Sequence, residues 1–249
     1  MATSGLPAVP AAHWPLAEAL IYRGLVRPAL RRQFARVAAR LAAPAPRPDG
    51  RPLIIMPTHT AWWDAYMLFV ISDHLLGSAY QNYIMMEERQ LRAYRFFRWC
   101  GAFSVARGAA AAASLQYVSR MLRERHGRCL WIFPQGRIVP AGQRPLRLYP
   151  GLARIVQQTA TEVWLWPVAL QYEFRGTQHP EAFIHAGTPV LAGAGDEHAL
   201  TLEATGLLTA AADALADDLR HGRLSDYRTL LRGRSGIDQW WDWLRRRAD

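Results

Sequence analysis

The sequence predicts an α/β fold: a mostly parallel, mixed sheet covered by helices on both faces, with an N-terminal amphipathic helical segment and C-terminal helices. Short apolar runs such as Leu53 to Met56 and Val163 to Gln171 read as strands buried on both sides. Stretches of helical periodicity separate them, and this alternation is the mark of crossover connections. A chain of 249 residues, 51% of them hydrophobic, is long and apolar enough for one substantial core.

Taken in order, residues 14–42 read as two short helices or one kinked helix. Pro15 sits near a first start, and Pro28 suits the first turn of a second. Val26, Leu30, Phe34, Val37 and Leu41 form an apolar stripe, and Arg23, Arg27, Arg31, Arg32, Arg36 and Arg40 occupy the flanks and opposite face. Such a helix either packs on the domain with a solvated arginine face or lies on a membrane surface. The Pro-rich run from Pro44 to Pro52 is a stiff linker, dividing an N-terminal segment (residues 1–50) from a catalytic domain (residues 51–249). Strands are then expected at 53–56, 83–86, 102–106, 129–133 and 163–171, with helices over 63–76, 88–99, 109–126 and 152–159. From Glu197 the chain reads as helical to its end. There Trp240, Trp241 and Trp243 precede Arg245 to Arg247, a group suited either to the core or to a lipid interface.

The net charge of +10 arises from 30 basic residues against 20 acidic ones, and every basic residue is an arginine. Guanidinium forks bind phosphate and anionic lipid surfaces, and they attract nucleic acid as well. No nucleic-acid module is visible, so a membrane surface is the expected partner. No run reaches the roughly 20 apolar residues of a membrane span, and neither a span nor a leader peptide is expected. Cys100 and Cys129 are isolated, which suits reduced, buried thiols in a cytoplasmic protein. His126, His179 and His185 show no metal-ligand spacing, and no cofactor is expected.

The chemistry concentrates in Thr58-His59-Thr60-Ala61-Trp62-Trp63-Asp64, just after the first strand. A histidine held by a carboxylate is the simplest general base for a hydroxyl near neutral pH. Residues five apart on a helix point about 140° away from each other, so His59 and Asp64 can meet only across a strand-to-helix turn, with Thr58 or Thr60 as cap. Trp62 and Trp63 are expected to pack against the sheet or to line an acyl channel. Three blocks follow in order: Gly101 to Arg107, Phe133-Pro134-Gln135-Gly136-Arg137, and the Pro167-containing strand Val163 to Val168.

On these residues the chain resembles the glycerolipid acyltransferases, the lysophosphatidate acyltransferase-like (PlsC-like) family. That family carries Asn-His-x4-Asp, Gly-x-Ile-Phe-x-x-Arg, Phe-Pro-Glu-Gly-Thr-Arg and an apolar strand with Pro, in this order. The resemblance covers about half the chain and is specific as an ordered set. It implies transfer of a fatty acyl group from acyl-CoA or acyl carrier protein to a lipid hydroxyl, most simply that of 1-acyl-sn-glycerol 3-phosphate. His59 would be the general base and Asp64 its orienting partner. Arg107, Gln135, Gly136 and Arg137 would bind substrate, with Arg107 clamping an anionic headgroup and N–H groups near Gly136 receiving an oxyanion or a phosphate. The enzyme would work peripherally on the inner face of the cell membrane.

The departures widen the choice of acceptor. Thr58 and Ala61 stand where the family has Asn and Ser, Gln135 stands for Glu, and Arg137-Ile138 stands for Thr-Arg. A glycolipid, an aminoacyl lipid or an isoprenoid alcohol is the alternative acceptor. An inactive membrane-binding homologue is the alternative from another class, and a purely structural turn is the alternative for Gln135 and Arg137.

Overall fold

The structure, a computed structural model, describes residues 5–106, 108–124 and 126–234. From the N-terminus the chain forms α1 (Pro15–Ile21), a wide π turn (Tyr22–Val26), α2 (Arg27–Gln33), β1 (Arg36–Leu41), β2 (Leu53–Pro57) and α3 (Asp64–Ile71). Next come β3 (Gln81–Glu87), α4 (Glu88–Ala93), β4 (Ala102–Val105), α5 (Ala111–Glu124), β5 (Arg128–Trp131), α6 (Gly151–Thr159) and β6 (Val163–Glu173). The described chain ends with β7 (Glu181–Ala186), β8 (Val190–Ala192), α7 (Glu197–Arg220) and β9 (Arg228–Arg232).

Among the described residues, nine strands join one sheet in the order β4-β3-β5-β2-β6-β7-β1-β9, with β8 also paired to β6. The strands from β4 to β6 run parallel. β7 pairs with β6 antiparallel and with β1 parallel, and β9 closes the far edge antiparallel to β1. The α/β expectation therefore stands, as a mixed sheet with a parallel half.

Alternation along the central strands assigns side chains to two core layers. Leu53 and Ile55 of β2 and Cys129 and Trp131 of β5 point into the layer shared with α3 and the N-terminal helices. Ile54, Met56, Leu130 and Ile132 point into the opposite layer, against α5 and α6. Burying both faces of these strands produces continuous apolar runs instead of an alternating pattern. Helix α3 is buried on nearly every side, which explains its lack of a polar face.

Several sequence expectations are corrected. Residues 36–41 form a strand, not the end of a helix, because Val37, Ala39 and Leu41 satisfy a two-residue period as well as helical spacing. Val37 and Ala39 enter one core layer and Ala38 the other. Arg36 and Arg40 consequently leave the helix face and pair with Glu181 and Asp218. β1 lies inside the sheet, so residue 50 marks no structural boundary. C-terminal helical structure is confined, among the described residues, to α7, and Arg228–Arg232 is a strand. The terminal tryptophans lie outside the described residues. By length and composition α7 is apolar enough to cross a membrane. In this fold Leu208, Ala211, Ala212 and Leu215 instead pack on the sheet residues Ala38, Ala169 and Phe183.

The N-terminal strap binds to the β4 edge through Val9 and Ser104, which exchange backbone and hydroxyl hydrogen bonds of 2.9 Å. His13 follows, edge-on to Tyr83, and among the described residues its buried Nε2 has no hydrogen-bond partner. Burial, with help from the Arg128 charge, lowers its imidazole from 6.5 to about 4. Between these values the unfolded chain binds a proton that the native chain does not, so stability falls as pH drops through this window. The melting temperature is expected to decline from about pH 6.5 to about pH 4, and less steeply in His13→Phe. Equal slopes for the two proteins would remove His13 as a cause.

Candidate active site

His59 lies two residues beyond the end of β2, at the carboxyl edge of the parallel half, where ligands gather in α/β sheets. The backbone between β2 and α3 turns so that His59 Nδ1 stands 2.9 Å from Asp64 Oδ2. Nδ1–H donates to this carboxylate, which leaves Nε2 as the basic nitrogen. The Asp64 side chain is fully buried, whereas His59 keeps 22% of its side-chain surface exposed. A buried carboxylate needs its oxygens saturated. Here Thr60 N–H (2.5 Å) and Ala61 N–H (2.9 Å) donate to Oδ2, and the Tyr172 hydroxyl donates to Oδ1 at 2.6 Å.

The threonines do not cap α3. Thr58 Oγ1 accepts the Leu170 N–H at 2.8 Å, and the Thr60 hydroxyl donates to the Leu170 carbonyl at 3.3 Å, so both fasten the turn to β6. Backbone N–H groups thus hold Asp64 Oδ2. The imidazole ring also stacks on Phe133, with centroids 4.3 Å apart, which limits its rotation.

Gln135 reaches the site from the β5 side, but as a brace. Its buried side chain accepts the His59 backbone N–H through Oε1 at 2.7 Å, and the Val139 N–H donates to the His59 carbonyl at 2.9 Å. Gln135 therefore supports the backbone of His59. A carboxamide oxygen serves this purpose without placing a second charge beside Asp64. Gly136 N–H donates to the Phe133 carbonyl at 3.0 Å. At φ +63°, and with the Tyr149 ring 2.8 Å from where a Cβ would stand, this position is suited to glycine. Arg137 is exposed on the same turn, and Arg107 lies outside the described residues. Trp63 packs on Phe34, but Trp62 is 56% exposed, contrary to the expected packing on the sheet.

Tyr172 was not foreseen, because nothing local in the sequence ties it to Asp64. Burial, reinforced by the Asp64 charge, holds its hydroxyl well above the usual tyrosine value, so it stays a donor. Phe34 packs on its ring with a centroid distance of 5.5 Å. Tyr172→Phe keeps that packing and removes one hydrogen bond to a charged oxygen. It is expected to lower kcat about tenfold while leaving acceptor KM nearly unchanged. An unchanged kcat would reduce Tyr172 to a packing element.

A buried carboxylate and the imidazole it orients thus stand together at the carboxyl edge of the parallel strands of an α/β sheet. The acyltransferase family model matches residues 38–171, and the chain belongs to this family. Over 96 residues it is 30% identical to the 1-acyl-sn-glycerol-3-phosphate acyltransferase of Streptococcus pneumoniae (strain ATCC BAA-255 / R6); the match spans 36% of this chain and 33% of that protein. The fold is similar to that of the crystal structure of the 1-acyl-sn-glycerophosphate (LPA) acyltransferase, PlsC, from Thermotoga maritima. The TM-score is 0.52 with 15% identity, covering 80% of this chain and 81% of the other.

Proposed function

We propose that the protein transfers a fatty acyl group from a thioester, acyl-CoA or acyl carrier protein, to a lipid hydroxyl, most simply that of 1-acyl-sn-glycerol 3-phosphate. The observation that carries this reading is the 2.9 Å contact between His59 Nδ1 and the fully buried Asp64 carboxylate. Nε2 takes the proton of the acceptor hydroxyl as its oxygen attacks the thioester carbonyl. Asp64 holds the tautomer and stabilises the imidazolium that forms. The thiolate is a good leaving group, so orientation and base catalysis carry the step without an acyl-enzyme. Arg107 and Arg137 are the proposed contacts for an anionic headgroup, as planar forks suit phosphate.

The same chemistry on a glycolipid, an aminoacyl lipid or an isoprenoid alcohol is the second reading. Its support is the altered third block, where a glutamine stands at the position of the family's acidic residue and braces His59. The protein is proposed to work from the cytoplasm on the inner face of the membrane. Exposed Trp14 and Trp99 meet edge to face at 5.8 Å beside exposed Leu16 and Leu20, an apolar patch suited to lipid. Incubation with acyl-CoA or acyl carrier protein and a panel of lipid acceptors, read by mass spectrometry, tests the function. A phosphatidate product supports the first reading, a different acylated lipid the second, and no acylated lipid from any acceptor sinks both.

A further inference from the structure

Five arginines line one groove of about 360 Å³ beside the N-terminal helix. Arg23, Arg27 and Arg31 recur every four residues, with Arg32 beside them, and Arg234 forms part of the opposite wall. The walls are fixed to each other: Arg234 N–H donates to the Arg31 carbonyl at 2.8 Å, and Gly233 N–H to the Ala35 carbonyl at 2.9 Å. On the other side of the helix, Val26, Leu30 and Phe34 recur at the same interval and are buried. The π turn over Tyr22–Val26 widens the helix where the two stripes begin, a device that is frequent at functional sites.

All five arginines are exposed, and among the described residues no carboxylate forms an ion pair with any of them. Elsewhere the protein pairs its arginines readily: Arg36 with Glu181, Arg40 with Asp218, Arg144 with Asp213 and Arg154 with Glu197. Arg31 and Arg32 lie in the last turn of α2, where cations suit the helix dipole. That preference leaves Arg23, Arg27 and Arg234 unexplained. Like charges gathered around one concavity repel, and a ligand with several anionic oxygens removes the repulsion while engaging the forks bidentately.

We propose that this groove binds a phosphate-bearing ligand, a phosphomonoester or a diphosphate, supplied by the nucleotide end of a CoA thioester or by a lipid headgroup. The choice of sources rests on the acyl-transfer reading, but the binding itself does not. The helix that carries the groove ends at Phe34, whose ring contacts both Trp63 and Tyr172. Occupancy is thereby placed one side chain from the support of Asp64.

The test uses the full chain and reads binding alone. Desulfo-CoA is titrated calorimetrically at low salt, and sedimentation is measured with phosphatidylcholine vesicles with and without phosphatidic acid. The wild type is expected to bind desulfo-CoA, to sediment preferentially with the phosphatidic acid vesicles, or both. Desulfo-CoA binding identifies the nucleotide source, and preference for the acidic vesicles identifies the headgroup. The triple variant Arg27→Gln, Arg31→Gln, Arg234→Gln is expected to lose at least about tenfold in affinity, while His59→Ala and the exposed control Arg92→Gln bind like the wild type. Circular dichroism of the triple variant should match the wild type, since all three side chains are exposed. Failure of the wild type to bind either probe, or wild-type affinity in the triple variant, would overturn the proposal and leave the acyl-transfer reading standing.

Discussion

His59→Ala is expected to reduce kcat at least about 10²-fold with little change in acceptor KM, because the proposed general base would act on the proton in flight and not on ground-state binding. The fold should tolerate the change, since the ring is partly exposed and the backbone of His59 is held independently of it, by Gln135 and Val139 of the loop after β5. Asp64→Asn should act differently. One carbonyl oxygen would have to replace two carboxylate oxygens that accept from His59, Thr60, Ala61 and Tyr172. The amide NH2 would then face a donor. Loss of rate of about 10² to 10⁴ is expected together with a lower melting temperature. Steady-state assays beside thermal melts separate the two variants: His59→Ala loses rate alone, and Asp64→Asn loses both. Wild-type turnover in His59→Ala would remove the general-base assignment altogether.

Gly101→Ala is expected to be strongly destabilising. Gly101 sits at φ +85°, where L side chains are strained by about 1 kcal/mol. The added Cβ would lie 2.0 Å from the Asn82 carbonyl oxygen and 2.5 Å from Cε1 of His13. The histidine could shift, but the carbonyl belongs to β3, which pairs with the strand that Gly101 introduces. Relief requires parting β3 from β4 or reopening the turn, at a cost of about 3 kcal/mol or more. Urea unfolding should show a clear drop in midpoint. An unchanged midpoint would mean that the edge of the sheet yields far more easily than its hydrogen bonding implies. The first residue of the second family block thus has a structural reason for being glycine, apart from any contact its arginine makes with substrate.

Strands β2 to β6 were legible because each is an apolar run cut short by turn residues, and burial on both faces makes such runs conspicuous. The outer strands were not. In β1 the pair Val37 and Leu41 fits either period, and β7 mixes Glu181 and His185 into a strand that is buried throughout. The pairing of His59 with Asp64 was legible from their spacing at a strand end, since the turn is local. Tyr172 and the bracing role of Gln135 were not, because both depend on which strands become neighbours. No periodicity in the chain states that β2 lies between β5 and β6. The order of the blocks predicted which residues approach the sheet edge, and the register determined what each of them touches.

That register also has a consequence for how the site comes into being. The hydrogen bonds that define it link residues 76 apart (His59 with Gln135), 108 apart (Asp64 with Tyr172) and 112 apart (Thr58 with Leu170). Contacts of such high sequence separation form late, after the intervening chain has lost its loop entropy. A fragment ending before β6 would keep the whole His-x4-Asp motif and yet lack the tyrosine and the strand that hold it. During refolding, turnover should therefore return with the slowest global phase and not with early helix formation, as stopped-flow circular dichroism beside a delayed activity assay would reveal.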